Sequence, residues 1–224
     1  MSHLAIAPVL LPLLAGILLL VARQLDLRLR RLFSIAAVFG QIGLAVMLLR
    51  AVEGGEILTY ALGDWPAPYG IVLVADRLAV WMLLVTALLA LFPLLHACQD
   101  AEDARGRHFH VLFQLQLFGL NGAFLTGDLF NLFVFFEVLL LASYGLILHG
   151  GGRLRTRAGL HYVVLNLAGS SLFLIAVGTL YGLFGTLNMA DLALKMATVP
   201  AENLGPARAA GLLLFAVFAL KAAL

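Results

Sequence analysis

Apolar residues fall in seven long runs, at about 4–22, 32–49, 77–98, 109–126, 129–149, 159–184 and 208–224, with short polar stretches between them. A helix needs roughly 20 apolar residues to cross a hydrocarbon core about 30 Å thick, and in lipid the backbone must satisfy its own hydrogen bonds. The pattern therefore predicts an all-α polytopic membrane protein with about seven transmembrane helices.

The connections carry further information. Between the second and third runs, Ile57–Leu62 and Ile71–Val74 are β-prone and flank a turn-rich Gly63–Gly70. That spacing predicts a hairpin on the outer surface, with a lid or docking surface as the alternative. Only Gly127 and Asp128 separate the fourth and fifth runs, so these helices are expected to form a tight antiparallel pair, with Asp128 capping the fifth. Pro93 predicts a kink in the third helix, and His96, one turn later, reads as an interfacial histidine.

Charge sets the orientation. Arg23, Arg28, Arg30 and Arg31, then Arg105 and Arg107, then Arg153, Arg155 and Arg157 put nine of the fourteen basic residues in alternate loops. The opposite loops hold Glu53, Glu56, Asp64, Asp76, Asp128, Asp191 and Glu202, with Arg50, Arg77, Lys195 and Arg208. By the positive-inside rule the arginine-rich side is cytoplasmic and the N-terminus lies outside.

Composition agrees with a membrane protein. The chain is 63% hydrophobic and 12% charged, half the charge of a soluble domain (about 25%). The net charge of +2 is scattered over turns, which excludes a nucleic-acid surface. One cysteine, Cys98, excludes an internal disulfide. The first run lacks a basic flank and a cleavage site, so it is expected to stay as a helix. No phosphate loop, His/Cys metal spacing or Ser-His-Asp order occurs, and Gly150–Gly152 lacks the strand that a nucleotide loop requires. No cofactor or metal is expected, and the chain does not read as an enzyme.

Two groups stand out against this background. Of twelve Asp and Glu residues, Glu137 alone lies inside an apolar run. A charge at that depth costs at least about 2.5–3.5 kcal/mol, which makes an intramembrane acid a candidate for function. Lys221, one of two lysines, lies in the last apolar run. At about 1.5 Å per residue, Glu137 falls roughly 13–14 Å below the outer surface and Lys221 roughly 19–20 Å below it. Both depths lie in the middle third, where acid and amine can neutralise each other. Lysine can give up its proton and arginine cannot, so a Glu–Lys pair can switch protonation. Snorkelling of Lys221, or helix glue at Glu137, is the structural alternative. Further polar stripes run along the fourth helix (His110, Gln114, Asn121) and the sixth (Tyr162, Asn166, Ser170), and Tyr144 lies on the Glu137 face of the fifth. These are candidates for a proton path or for interhelical bonds.

Asp128-Leu129-Phe130-Asn131-Leu132-Phe133-Val134-Phe135-Phe136-Glu137 closely resembles the fifth membrane helix of Mrp-type cation/proton antiporter subunits and of the antiporter-like subunits of respiratory complex I. Trp65–Leu78 is similar to the outer loop and third-helix start of the D-type Mrp subunit, Tyr181–Leu192 to the exit from helix six, and Phe218–Lys221 to the helix-seven lysine motif. The resemblance implies that Glu137 and Lys221 form the proton-translocating ion pair. It implies two regions: 1–107 with helices one to three and the hairpin, and 108–224 as the incomplete start of the antiporter membrane domain. It also implies a bacterial plasma membrane location, partner subunits in a hetero-oligomeric complex, and protons with Na⁺ or K⁺ as cargo. Family members are about twice as long, so the chain is expected to be a fragment or truncated product that stops within the first inverted repeat. The alternatives are a proton-pumping subunit of a quinone-linked oxidoreductase or membrane hydrogenase, and an assembly scaffold in which the pair only holds helices together.

Overall fold

The computed structural model describes residues 3–22, 24–65 and 68–222; Arg23, Pro66 and Ala67 of the expected loops and the last two residues of the seventh run lie outside them. Eight α-helices and one hairpin follow in order among these residues: α1 (Ala7–Val21), α2 (Leu27–Ala51), β1 (Leu58–Ala61), β2 (Val72–Ala75), α3 (Arg77–Gln99), α4 (Phe109–Leu125), α5 (Leu129–Ile147), α6 (Arg153–Phe184), α7 (Met189–Ala197) and α8 (Ala201–Lys221). Five of the helices are long and apolar enough to cross a membrane, and α1 and α4 are shorter apolar helices. The expected hairpin is present as an antiparallel pair, Leu58 opposite Ala75 and Ala61 opposite Val72.

Three helices start earlier than their apolar runs. α2, α6 and α8 begin at Leu27, Arg153 and Ala201, because arginine, leucine and alanine are good helix formers and the turns that leave the hydrocarbon need not be apolar. α3 continues through Pro93. The apolar pattern also misses α7, nine residues long and too short to cross a bilayer. It forms because the Asn188 side chain accepts from the N–H groups of Ala190 and Asp191, at 3.1 and 3.2 Å, and so caps its first turn.

The outer end of the bundle is tied by backbone bonds. The Thr126–Asp128 turn between α4 and α5 lies between β2 and the exit from α6. Gly127 N donates to Val72 O at 2.8 Å, Leu129 N to Leu187 O at 2.9 Å, and Met189 N to Gly127 O at 2.8 Å. At the arginine-rich inner end, Gly150, Gly151 and Gly152 all have positive φ, a backbone that only glycine adopts freely, and they turn the chain from α5 into α6.

Packing forms two larger bodies on either side of the α4–α5 pair, with a smaller cluster of Val38, Ala90, Leu94 and Leu117 among α2, α3 and α4. Val9, Leu48, Val52, Leu73, Val80, Leu83 and Leu125 bury one core among α1, α2, the hairpin, α3 and α4. Phe173, Val177, Leu180, Leu192, Ala210 and Val217 bury a second among α6, α7 and α8, to which α5 adds Leu129. Between the bodies α4 and α5 approach at glycines: a Cβ on Gly119 would stand 2.6 Å from Leu139 Cβ and 2.7 Å from its backbone N. Because backbone cannot yield, Gly119→Ala is expected to force the helices apart and to lower stability by about 1–3 kcal/mol. A melting temperature in detergent equal to the parent's would contradict this.

Candidate functional site

One half-buried polar cluster joins three helices. Asp128 starts α5 by accepting from Asn131 N at 2.9 Å, and this cap sets the register that carries Glu137 to the middle of α5. Ser170 sits in mid-α6 and is 4% exposed. Lys221 is the last residue of α8. The Ser170 hydroxyl donates to Glu137 Oε1, and Lys221 Nζ donates to Ser170 Oγ at 3.3 Å. A directed chain from ammonium to hydroxyl to carboxyl therefore runs from α8 through α6 to α5. Among the described residues no ion pair joins Glu137 directly to Lys221; the serine stands between them. Lys221 Nζ also lies 5.7 Å from the centroid of Phe136, where the ring face favours a cation. Gly169 lets Leu220 pack closely beside the lysine, since a Cβ there would stand 3.3 Å from Leu220 Cδ2 and in ordinary contact, 3.9 Å, with Lys221 Cε.

Beside this cluster lies a cavity of about 460 Å³ between α4, α5, α6 and α8, running from Tyr162 on the inner side to Phe136 and Phe124. Its polar lining is Tyr162, Asn166 and Lys221, set among Leu120, Phe124, Leu139 and Leu165. Tyr144 packs edge-on to Tyr162 at 5.6 Å, Ser143 Oγ and Tyr162 Oη are 3.4 Å apart, and Asn166 Nδ2 donates to Tyr162 O at 2.9 Å. Four of the sequence candidates, Tyr144, Tyr162, Asn166 and Ser170, thus gather on the Glu137–Lys221 side.

The three candidates on α4 point elsewhere. Gln114 Nε2 donates to Ser34 Oγ at 3.0 Å, and Asn121 Nδ2 donates to Gln41 Oε1 at 2.5 Å and to Pro8 O at 2.8 Å. They bind α4 to α2 and α1. His110, at the inner end of the same stripe, donates from Nε2 to Asp103 Oδ2 at 3.1 Å. Asp103 is 1% exposed and takes Arg31 in bidentate fashion, Nε and Nη2 each at 2.6 Å. Burial opposes the Asp103 charge, but the bonds from Arg31 and His110 outweigh it and hold its carboxyl below the usual range. Cys98, Asp103 and His110 bring ligand-type atoms within 4.8 Å of one another, yet both carboxylate oxygens already hold the guanidinium, so the cluster acts as an ion pair.

This arrangement has counterparts. Residues 126–224 match the family described as NADH:quinone oxidoreductase/Mrp antiporter, TM. The match takes in a little under half of the chain. The chain is 51% identical over 204 residues to the D-type subunit of a probable K⁺/H⁺ antiporter of Rhizobium meliloti, covering 89% of this chain and 38% of that protein. It is 44% identical over 222 residues to the D-type subunit of an Na⁺/H⁺ antiporter of Bacillus subtilis, covering 99% of this chain and 44% of that protein. The fold matches a chain of the Mrp complex from Dietzia sp. with a TM-score of 0.81 and 34% identity, over 97% of this chain and 40% of that one. It matches a chain of an archaeal membrane-bound sulfane sulfur reductase with a TM-score of 0.90 and 29% identity, over 97% and 44%. The chain thus spans about two fifths of the length of these relatives. Its apolar helices and the family match make it a multi-pass membrane protein.

Sequence reasoning passed over Asp103, Arg31, Ser34 and Gln41. Asp103 and Arg31 are 72 residues apart and look like ordinary loop charges, so nothing local marks them. Ser34 and Gln41 carry a signal: polar residues in an apolar run, seven apart, matching the spacing of Gln114 and Asn121 on α4.

Removing one partner of a buried ion pair strands the other. Asp103→Asn is expected to cost about 3 kcal/mol, at the low end because Arg31 keeps a route to solvent. Because the folded-state pKa of Asp103 lies below its unfolded value, its contribution is complete above about pH 5 and fades as pH falls through the depressed value. Melting temperatures in detergent between neutral and acid pH should converge for parent and variant at the acid end; a constant gap would contradict the assignment.

Proposed function

We propose that this chain is the proton-translocating portion of a subunit of a multi-subunit Na⁺(K⁺)/H⁺ antiporter in the bacterial plasma membrane, with Glu137 and Lys221 as its switching pair. The observation that carries the reading is the Lys221–Ser170–Glu137 chain of hydrogen bonds between three helices long and apolar enough to cross a membrane. A proton on Glu137 removes the charge that attracts Lys221, and its loss restores that charge. Lys221 can likewise be discharged, whereas an arginine in its place could not. One charge moved across 100 mV is worth about 2.3 kcal/mol, the same order as the cost of burying a charge, so membrane potential and protonation can bias the pair to comparable degrees. The Ser170 hydroxyl both donates and accepts, and so keeps the two groups in communication while separating them. The likeness to subunits named as K⁺/H⁺ and Na⁺/H⁺ antiporters supports a monovalent cation as the counter-cargo, with other subunits of the complex as partners.

A second reading, an antiporter-like proton-pumping subunit of a redox membrane complex, draws support from the likeness to the sulfane sulfur reductase chain. The same pair would then move protons while redox chemistry resides in partner subunits.

The assembled complex containing this chain, in everted vesicles, separates these readings. Cation/proton exchange driven by an imposed pH gradient, without an electron donor, is the outcome for an antiporter. Glu137→Gln and Lys221→Arg are each expected to reduce that exchange to near background with the complex intact, and Ser170→Ala to slow it. Normal exchange by assembled Glu137→Gln or Lys221→Arg complex would overturn the role of the pair.

A further inference from the structure

The two sides of the Glu137–Ser170–Lys221 cluster differ in kind. Each of its three helices carries a phenylalanine three or four residues outward of the polar residue: Phe133 on α5, Phe173 on α6 and Phe218 on α8. These rings lie about 4.5–6 Å further out along their helices. They touch one another: Phe133 to Phe173 at 5.8 Å and Phe173 to Phe218 at 5.9 Å, with Phe136 closing the set at 6.3 Å from both Phe173 and Phe218. Phe173, at the centre, is fully buried. Beyond the rings the apolar packing continues through Val177, Leu180 and Leu214. The next buried polar groups on that side among the described residues are Thr126, Asp128, Asn131, Thr186 and Asn188, at the outer end. Inward, by contrast, lie Asn166 and the tyrosine pair, with Asn166 and Tyr162 lining the cavity whose other end meets the inner face of Phe136.

Resting on the proposed role of Glu137 and Lys221, we propose that Phe133, Phe136, Phe173 and Phe218 form a water-excluding aromatic seal that insulates the pair from the outer surface. A constriction lined by apolar groups stops conduction by dewetting, because a proton crossing it finds no hydrogen-bond partner. A protonatable site in an ion-driven exchanger must not be open to both sides at once, or the gradient collapses without moving cargo. The three rings one turn outward of the three polar groups meet that requirement on the outer side. They also place Lys221 against the inner face of the same aromatic set, through its contact with Phe136.

The test uses the assembled complex containing this chain in proteoliposomes with choline salts on both sides and a pH-sensitive dye inside. The parent should hold an imposed pH gradient. Phe218→Ala and Phe173→Ala should let it decay several-fold faster, while Phe173→Leu, which keeps apolar bulk, should hold it. Phe218 is 39% exposed, so its truncation leaves the fold in place and carries the test if Phe173→Ala fails to assemble. Adding Glu137→Gln to Phe218→Ala should bring the leak back to the parent rate, because the stepping stone is gone. A gradient held by Phe218→Ala as well as by the parent overturns the seal. A leak that survives Glu137→Gln marks general damage and overturns it too. In either case exchange lost by Glu137→Gln alone leaves the pair standing, whereas normal exchange there removes the pair itself.

Discussion

Inside a bilayer no solvent is available to hydrogen-bond a polar side chain, so each one placed there must be met by another part of the protein. The middle of this chain obeys that constraint with three side chains from three helices. Lys221 donates to Ser170 and Ser170 donates to Glu137, so a cation, a hydroxyl and a carboxyl share one set of bonds. The constraint also explains why the cluster suits a switch. In the proposed switch each group depends on the charge of the next, so that a change of protonation at one end would alter what the other end can bind.

The remainder of the fold holds these helices at fixed heights. The two-residue turn at Gly127 and Asp128 is clamped between the hairpin and the exit from α6, which sets the level of α5 against α6. Gly119 lets α4 lie against the Leu139 backbone, and α4 is in turn bonded to α2 by two side-chain pairs of equal sequence separation, Gln114 with Ser34 and Asn121 with Gln41. Equal separation means that α2 and α4 run parallel, a ladder in which each polar residue in an apolar helix answers one in the other. Asp103 draws Arg31 and His110 together at the inner end. The N-terminal helices therefore stand behind α5, and the polar groups they bury bond one another between helices.

How much of this was legible depended on whether the signal was local. The helices, the hairpin and the cap at Asp128 were, because hydropathy, β-propensity and capping act within a few residues. Helix starts at Leu27, Arg153 and Ala201 were not, because a turn that emerges from lipid loses its apolar mark while remaining helical. α7 escaped notice because its start is set by the Asn188 cap and not by an apolar run. At the site, Glu137 and Lys221 stood out as isolated ionisable groups in apolar runs. The α4 residues His110, Gln114 and Asn121 looked equally suited to a proton path, since a helical stripe records spacing and not the direction it faces in the bundle.

The amino-acid sequence by itself determined that the chain crosses a membrane, which loops carry the arginines, and that one acid and one lysine fall inside apolar runs, because hydropathy and helix length are properties of short segments. Tertiary structure decided which polar groups face one another: that Ser170 joins Glu137 to Lys221, that the α4 stripe turns to α2, and that four phenylalanines gather on one side of the trio. Such choices depend on how helices far apart in the chain rotate and settle against each other, and no stretch of sequence carries that angle.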